Sequence, residues 1–416
     1  MGFFYGLILV LVIFEGIIIQ CEGVGNEDSS FFDIRKLPSD IIEKKISELN
    51  FKTIRNFIRS GVQPTSGIIM SRIIPDHIIE IKTTDQFDPS DMYEYRSEDK
   101  FLAIGLYKII VPFFNEYGNR VKKIKIDYSS TDIEVRHKEY NQNIIKKCAK
   151  HLEELRFGHY GDEGFWEEIS EGKNCFIFPE VKKFQTCKCS TQKKFDLNVI
   201  FPKLKSLKLS GIVADANCLA NLKGLEEFTL ETDSIEEHKL DNLFANNVNL
   251  TMIHLYSPNR TETMRSIAKY LTKLETLRVE MPGKAFAKGY FTFDNPNMKK
   301  LTLKCFRPIG QIINFISNFK KLEIVGIFSH DHYPVERIGE LQHIREIKTT
   351  IHKVTAESLK KMFESFDGKC KLQTLKFQYF LHFNAVRAYE TEMEEIDNYL
   401  LNSKNLTWTL KLSTSR

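Results

Sequence analysis

The residues with the clearest capacity for chemistry are few and scattered. His330-Asp331-His332-Tyr333 places two imidazoles and a carboxylate within four positions. On a strand, His330 and His332 would share a face, but two histidines without a third ligand seldom hold a catalytic metal. A polar loop is the favoured reading, and no metal site is expected. Cys175, Cys187 and Cys189 form the one dense thiol group. A local bridge from Cys175 to Cys187 is one reading, and small buried side chains of apolar character are the other. C-x-C alone lacks the second ligand pair that zinc requires. Glu236-Glu237 and Glu394-Glu395 pair carboxylates, but both pairs fall on segments with helical spacing and read as solvated faces. There is no G-x-S-x-G, no H-E-x-x-H and no glycine-rich phosphate loop. The expectation is therefore no catalytic residue and no cofactor.

What organises the chain instead is a phrase of six, apolar–x–x–apolar–x–apolar. It reads VKKIKI from Val121, LEELRF from Leu152, VKKFQT from Val181, LKSLKL from Leu204 and LEEFTL from Leu225. It continues as LTMIHL from Leu250, LETLRV from Leu274, MKKLTL from Met298, LEIVGI from Leu322, IREIKT from Ile344 and LQTLKF from Leu372, with a looser copy from Leu406. Between Leu204 and Ile344 successive starts lie 21, 25, 24, 24, 24 and 22 residues apart. Each phrase predicts a short strand whose first, fourth and sixth residues point inward. Between phrases, segments such as IAKYLTKL from Ile267 carry apolar residues at helical spacing. One strand and one helix cannot bury both apolar faces alone, whereas stacked copies can.

This pattern resembles the leucine-rich repeat family across about 121–412. The resemblance implies an α/β solenoid, a horseshoe with parallel strands on the concave side and helices on the convex side. That family often places Asn or Cys three residues after the sixth position. Here the slot holds Cys189 once and otherwise residues such as Ser129, Ile212, Pro258 and His352. The missing asparagine ladder is similar to the intracellular type of repeat, including that of F-box proteins.

The outward strand positions are the third, fifth and seventh. Most carry charged or small side chains, such as Lys125, Glu231 and Lys304. Met252, His254, Tyr256, Arg278, Ile324 and Phe328 depart from that background. Aromatic and large apolar groups on a polar face are the usual composition of an interface hot spot. These six are the expected protein-binding residues. A frame error of one position would turn several of them inward.

Before the repeats, Phe3 to Phe14 is an apolar run of signal-peptide length, with Cys21 and Gly23 suited to the −3 and −1 positions of a cleavage site. Glu15 interrupts the run short of a membrane span, which disfavours the alternative of an anchor. Secretion would make the Asn-x-Thr sequons at Asn249, Asn259 and Asn405 glycosylation sites. The formal charge of +4, with both signs interspersed, gives no case for nucleic acid.

Residues 35–60 predict two helices, the first with Ile41, Ile42, Ile46 and Leu49 on one apolar face and the second carrying Ile54, Phe57 and Ile58. The stretch resembles the start of an F-box, in which Leu37, Pro38, Ile41, Ile46 and Leu49 would face a Skp-type adaptor. The other reading is a two-helix cap over the first repeat. The expected organisation is a signal peptide at 1–23, the helical cap at 24–64 and an irregular region at 65–120. The repeats follow at 121–412 and a short tail at 413–416. Within the irregular region, Ile78 to Thr83 reads as an extra strand, 85–100 as a surface loop and 102–117 as an apolar helix.

Secretion, an F-box-like start and irregular repeats together are similar to venom leucine-rich-repeat proteins of parasitoid wasps. That likeness implies a secreted binding module or decoy acting on host immune signalling. The competing expectation is a cytoplasmic F-box substrate receptor of a ubiquitin ligase.

Overall fold

The computed structural model describes residues 74–82, 93–96, 101–104, 113–127, 144–158, 177–189, 196–213, 217–232, 235–256, 261–281, 295–305, 316–329, 341, 343–350, 373–381 and 407–414, with 357, 360, 361, 364, 394 and 398 in helical conformation. The expected signal segment at 1–23 and the F-box-like cap at 24–64 lie outside the described residues. So do Leu37, Pro38, Ile41, Ile46 and Leu49.

The chain divides into two units, one of residues 1–188 with 199–203 and one of residues 189–198 with 204–416. Both are built on open, predominantly parallel sheet, so the chain has an α/β fold.

In the first unit the strands are β1 (Ile78–Lys82), β2 (Tyr93–Arg96), β3 (Phe101–Ile104), β4 (Lys123–Asp127), β5 (Glu154–Phe157) and β6 (Lys183–Cys189). Their order is β2-β3-β1-β4-β5-β6. All pairings are parallel except that of β2 with β3. The strand expected at Ile78 is therefore part of the sheet. Two other expectations for this region hold only in part, since residues 113–117 are helical as expected. Phe101–Ile104 forms a strand where the apolar run 102–117 predicted helix, and Tyr93–Arg96 forms one inside the expected loop. A short apolar run satisfies either period, and pairing with β1 selects the extended form. The unit fills its interior with phenylalanine. The rings of Phe184 and Phe201 stack 4.6 Å apart, and Phe178 lies 5.4 Å from Phe201.

The second unit carries β7 (Ser206–Val213), β8 (Glu227–Glu231), β9 (Met252–Tyr256), β10 (Thr276–Met281), β11 (Lys300–Cys305), β12 (Ile324–Ser329), β13 (Glu346–Thr350), β14 (Thr374–Leu381) and β15 (Thr407–Thr414). Neighbours in sequence are neighbours in the sheet, and each pairs in parallel with the next. β15 runs on into the expected tail at 413–416. Its helices include α1 (Glu237–Asn246) and α2 (Thr261–Tyr270).

Register is constant although repeat length is not. Leu207, Phe228, Ile253, Leu277, Leu301, Val325 and Ile347 stand in one row across the sheet. Two backbone devices hold it. The carbonyl of the second slot accepts both the second-slot and third-slot N–H of the next repeat, as Glu275 O does from Lys299 and Lys300, each at 2.9 Å. Most strands are also entered through a turn in which the first-slot N–H donates three residues back, as Leu274 does to Leu271 O. Insertions are thereby confined to the connections.

The inward slots are buried as the phrase requires. Leu250, Ile253 and Leu255 are covered, as are Leu274, Leu277 and Val279, and so are their counterparts from Leu204 to Ile347. The helices supply the other side of this core. Leu240, Leu243 and Phe244 of α1 are buried, and the Phe244 ring meets Phe228 edge-on at 6.2 Å. Burying each such side chain contributes about 1.5–3 kcal/mol, which is why one repeat cannot stand alone.

Sequence reading missed one element of this core. Asn247 and Asn295 are both buried and stand three residues before a first slot. Each donates its amide to a carbonyl of the preceding repeat, Asn247 to Leu222 O at 2.7 Å and Asn295 to Leu271 O at 3.0 Å. Asparagine thus does link repeats, at a slot before the strand rather than after it. Its sequence signal is Asn-x-x-apolar immediately ahead of the phrase.

Candidate functional site

With the first, fourth and sixth slots buried, the odd slots of β8 to β14 form the open face of the second unit. The frame of the expected binding residues is correct in this respect. Tyr256 is 49% exposed, Arg278 is exposed, and Met252, His254, Ile324 and Phe328 are partly exposed. They fall into two groups. Met252, His254 and Tyr256 follow one another along β9, and His254 is in register with Arg278 of β10. Ile324 and Phe328 lie on β12, separated from β10 by the lysines and threonine of β11. Two strand spacings make that separation roughly 10 Å.

His254 is the most constrained of these groups. Its Nε2 is buried and has no hydrogen-bond partner. Burial lowers its pKa below the ordinary imidazole value. The Arg278 guanidinium and Lys208 add to that, against the opposing pull of Glu231 and Glu280. The ring is therefore neutral at pH 7, with an unused nitrogen among charged neighbours.

Charged side chains knit the strands across this face. Lys208 of β7 pairs with Glu231 of β8 at 2.8 Å. Glu280 of β10 accepts from Arg278 through one oxygen and from Lys304 of β11 through the other, both at 3.0 Å. Burial alone would raise the Glu280 pKa, but Lys304 and Arg278 outweigh it and hold the carboxyl below the ordinary value. Glu346 of β13 also holds two cations, Lys376 at 2.8 Å and Lys348 at 3.3 Å, both on one oxygen, with the same net direction of its pKa. The pairings of Lys304 with Glu280 and of Lys376 with Glu346 were not readable from the sequence, because those partners stand 24 and 30 positions apart and only the register brings them together.

β12 interrupts the charge. Gly326 is buried between its neighbours: a Cβ there would meet the Thr302 side chain at 3.0 Å and the Phe328 ring at 3.3 Å. The glycine lets the Phe328 ring lie close against the sheet.

The first unit holds a second charged group. Glu80 is 1% exposed and pairs with Lys125 at 2.6 Å, and Lys125 also reaches Asp127 at 2.8 Å. Burial works against the Lys125 charge, but Asp127 and Glu80 together raise its pKa above the ordinary lysine value. Glu80 is the covered member of this cluster, while Lys125 and Asp127 are partly exposed.

The remaining expectations divide by location. Asn249 is exposed on the rim beside Lys273, whose ammonium donates to its Oδ1 at 2.7 Å. Asn259, Asn405 and the 330–333 cluster lie outside the described residues. Cys187 is a buried thiol that donates to Phe157 O at 3.4 Å, not one half of the expected bridge. The neighbouring strand's carbonyl satisfies it, and the expected partner Cys175 lies outside the described residues. Cys148 is also buried, and burial pushes its thiol up to about 12, against a small lowering by Lys147. Glu236 is exposed beside His238 and Lys239 as expected, but Glu237 is partly buried and its Oε1 is covered without a hydrogen-bond partner. Among the described residues, no group of three or more His, Cys, Asp or Glu could hold a metal ion, and no helix is long and apolar enough to cross a membrane. No protein-family model matches this chain, and no curated protein matches it.

Proposed function

We propose that this chain is a secreted, non-enzymatic leucine-rich-repeat protein that binds a protein partner through the open face of its second unit. The observation that supports the reading most directly is Tyr256. It stands 49% exposed at the end of β9, in register with Glu280 and two residues beyond a half-buried His254, which has an unused nitrogen and is itself in register with Arg278. A large amphipathic ring on one face with an imidazole and a guanidinium is the composition that concentrates binding energy at protein interfaces. The constant register supports the repeat assignment, since a solenoid stacks identical units at one offset. Secretion rests on the apolar leader and the sequons. An action on host immune signalling rests on the domain arrangement alone.

The test is site-specific photocrosslinking. A photoreactive phenylalanine analogue replaces Tyr256 in one sample and exposed Asn246 of α1 in another. Each is exposed to the fluid into which the protein is released. A discrete adduct from position 256 and none from position 246 supports the reading. Equal labelling from both, or none from 256, refutes it.

A further inference from the structure

The open face is not balanced in charge, and the imbalance has a pattern. Glu280 is shared by Arg278 and Lys304, and Glu346 by Lys348 and Lys376. Two cations per carboxylate leave one positive charge in excess at each cluster. The carboxylates are the covered members, with side chains 12% and 20% exposed, while the four cations range from 36% to 51%. An approaching molecule therefore meets ammonium and guanidinium groups with donors to spare.

Between the clusters lies β12, which offers Ile324, Gly326 and Phe328 and no charge. Lys304 is in register with Phe328, and Gly326 with Lys348, so both clusters border the strip directly. A purely apolar ligand would desolvate those cations without replacing their hydrogen bonds. A basic ligand would be repelled at both ends.

We infer that the open face over β10 to β14 takes an acidic, extended segment of the partner protein, with two carboxylates on the flanking cations and an aromatic or large aliphatic side chain on the Ile324–Phe328 strip. This inference rests on the proposed binding role of the face and adds the chemistry of its ligand. The strands bearing Lys304 and Lys348 are two spacings apart, roughly 10 Å. An extended chain rises about 3.3 Å per residue, so the carboxylates stand three or four residues apart with the apolar residue between them. The pairing is charge-assisted and partly exposed, so it sets specificity and salt dependence more than bulk affinity.

The experiment uses the full chain and a displayed library of random twelve-residue peptides. Enriched peptides are synthesised with a fluorescent label and titrated by anisotropy. The expected enrichment is acid–x–apolar–acid or acid–x–apolar–x–acid. Affinity should fall at least about tenfold in the Lys304→Glu, Lys348→Glu double variant, and also on moving from 50 to 200 mM salt. Both side chains are partly exposed, and circular dichroism with a thermal melt confirms that the variant is folded. Peptides that lose affinity on Phe328→Ser and Tyr256→Ser but not on charge reversal would overturn the acidic assignment and leave the binding face standing. Peptides indifferent to all four changes, or no enrichment at all, would overturn both. Binding of a labelled twenty-nucleotide single strand, abolished by the same reversals, would assign the cations to nucleic acid and overturn the inference.

Discussion

The side-chain oxygen of Asn247 accepts the backbone N–H of Leu225 at 2.9 Å, across 22 residues of sequence. Elsewhere the first-slot N–H closes a turn onto its own repeat, as in Leu250 to Asn247 O and Leu274 to Leu271 O. At Leu225 the preceding Gly224 has φ +83, the left-handed region that glycine tolerates. The Leu225 N–H goes instead to Asn247, which also donates to Leu222 O and Leu243 O. One side chain therefore completes the turn of one repeat from the next. Replacing it with leucine leaves three buried backbone groups without their partner. The expected loss is about 3 kcal/mol, read as a lower urea midpoint for the second unit.

Adjacent residues on β9 should behave oppositely. Leu255 is 2% exposed and Tyr256 is 49% exposed. Leu255→Ala should cost about 2–5 kcal/mol through lost burial and a cavity. Tyr256→Ser should change stability by no more than about 0.5 kcal/mol while weakening partner capture. A destabilised Tyr256→Ser protein with intact capture would contradict the assignment of faces.

His254 gives a pH signature. Its folded pKa lies below the ordinary value, so the unfolded chain takes up the proton first as pH falls. The sign follows: stability is constant above about 6.5 and declines as pH drops below it towards the folded value. His254→Gln should flatten that part of the profile. A proton-resonance titration should place the His254 midpoint below 6.5, and Arg278→Gln should move it upward.

Glu280 and Glu346 act lower on the scale. Both folded pKa values are depressed, so their stabilisation is present above the unfolded carboxylate value and lost as pH falls through the folded one. Acid unfolding of the second unit should therefore steepen below about pH 4.5. The Glu280→Gln, Glu346→Gln double variant should lose that steepening in a pH series followed by circular dichroism.

Gly158 of the first unit has no room for a methyl group. A Cβ there would fall 2.0 Å from Asp127 Oδ1. Gly158→Ala must push that carboxylate away from Lys125, the partner of buried Glu80. The expected cost is about 1–3 kcal/mol, read as a lower melting temperature of the first unit. Asp127→Ala made together with it should recover part of the loss.

The sequence by itself determined which residues face inward. Period and spacing put Leu250, Ile253 and Leu255 in the core and Met252, His254 and Tyr256 outside it, because a strand alternates its side chains and leaves no third choice. It could not assign residues 101–104, whose apolar run suits helix or strand until β1 offers a pairing partner. Nor could it show that Asn247 serves Leu225, or that Glu280 is divided between Arg278 and Lys304. Those relations join separate repeats, and their distances depend on a register that exists only once the strands have stacked. Periodicity fixes the direction of a side chain within its own repeat. Stacking decides which side chain of the next repeat it meets.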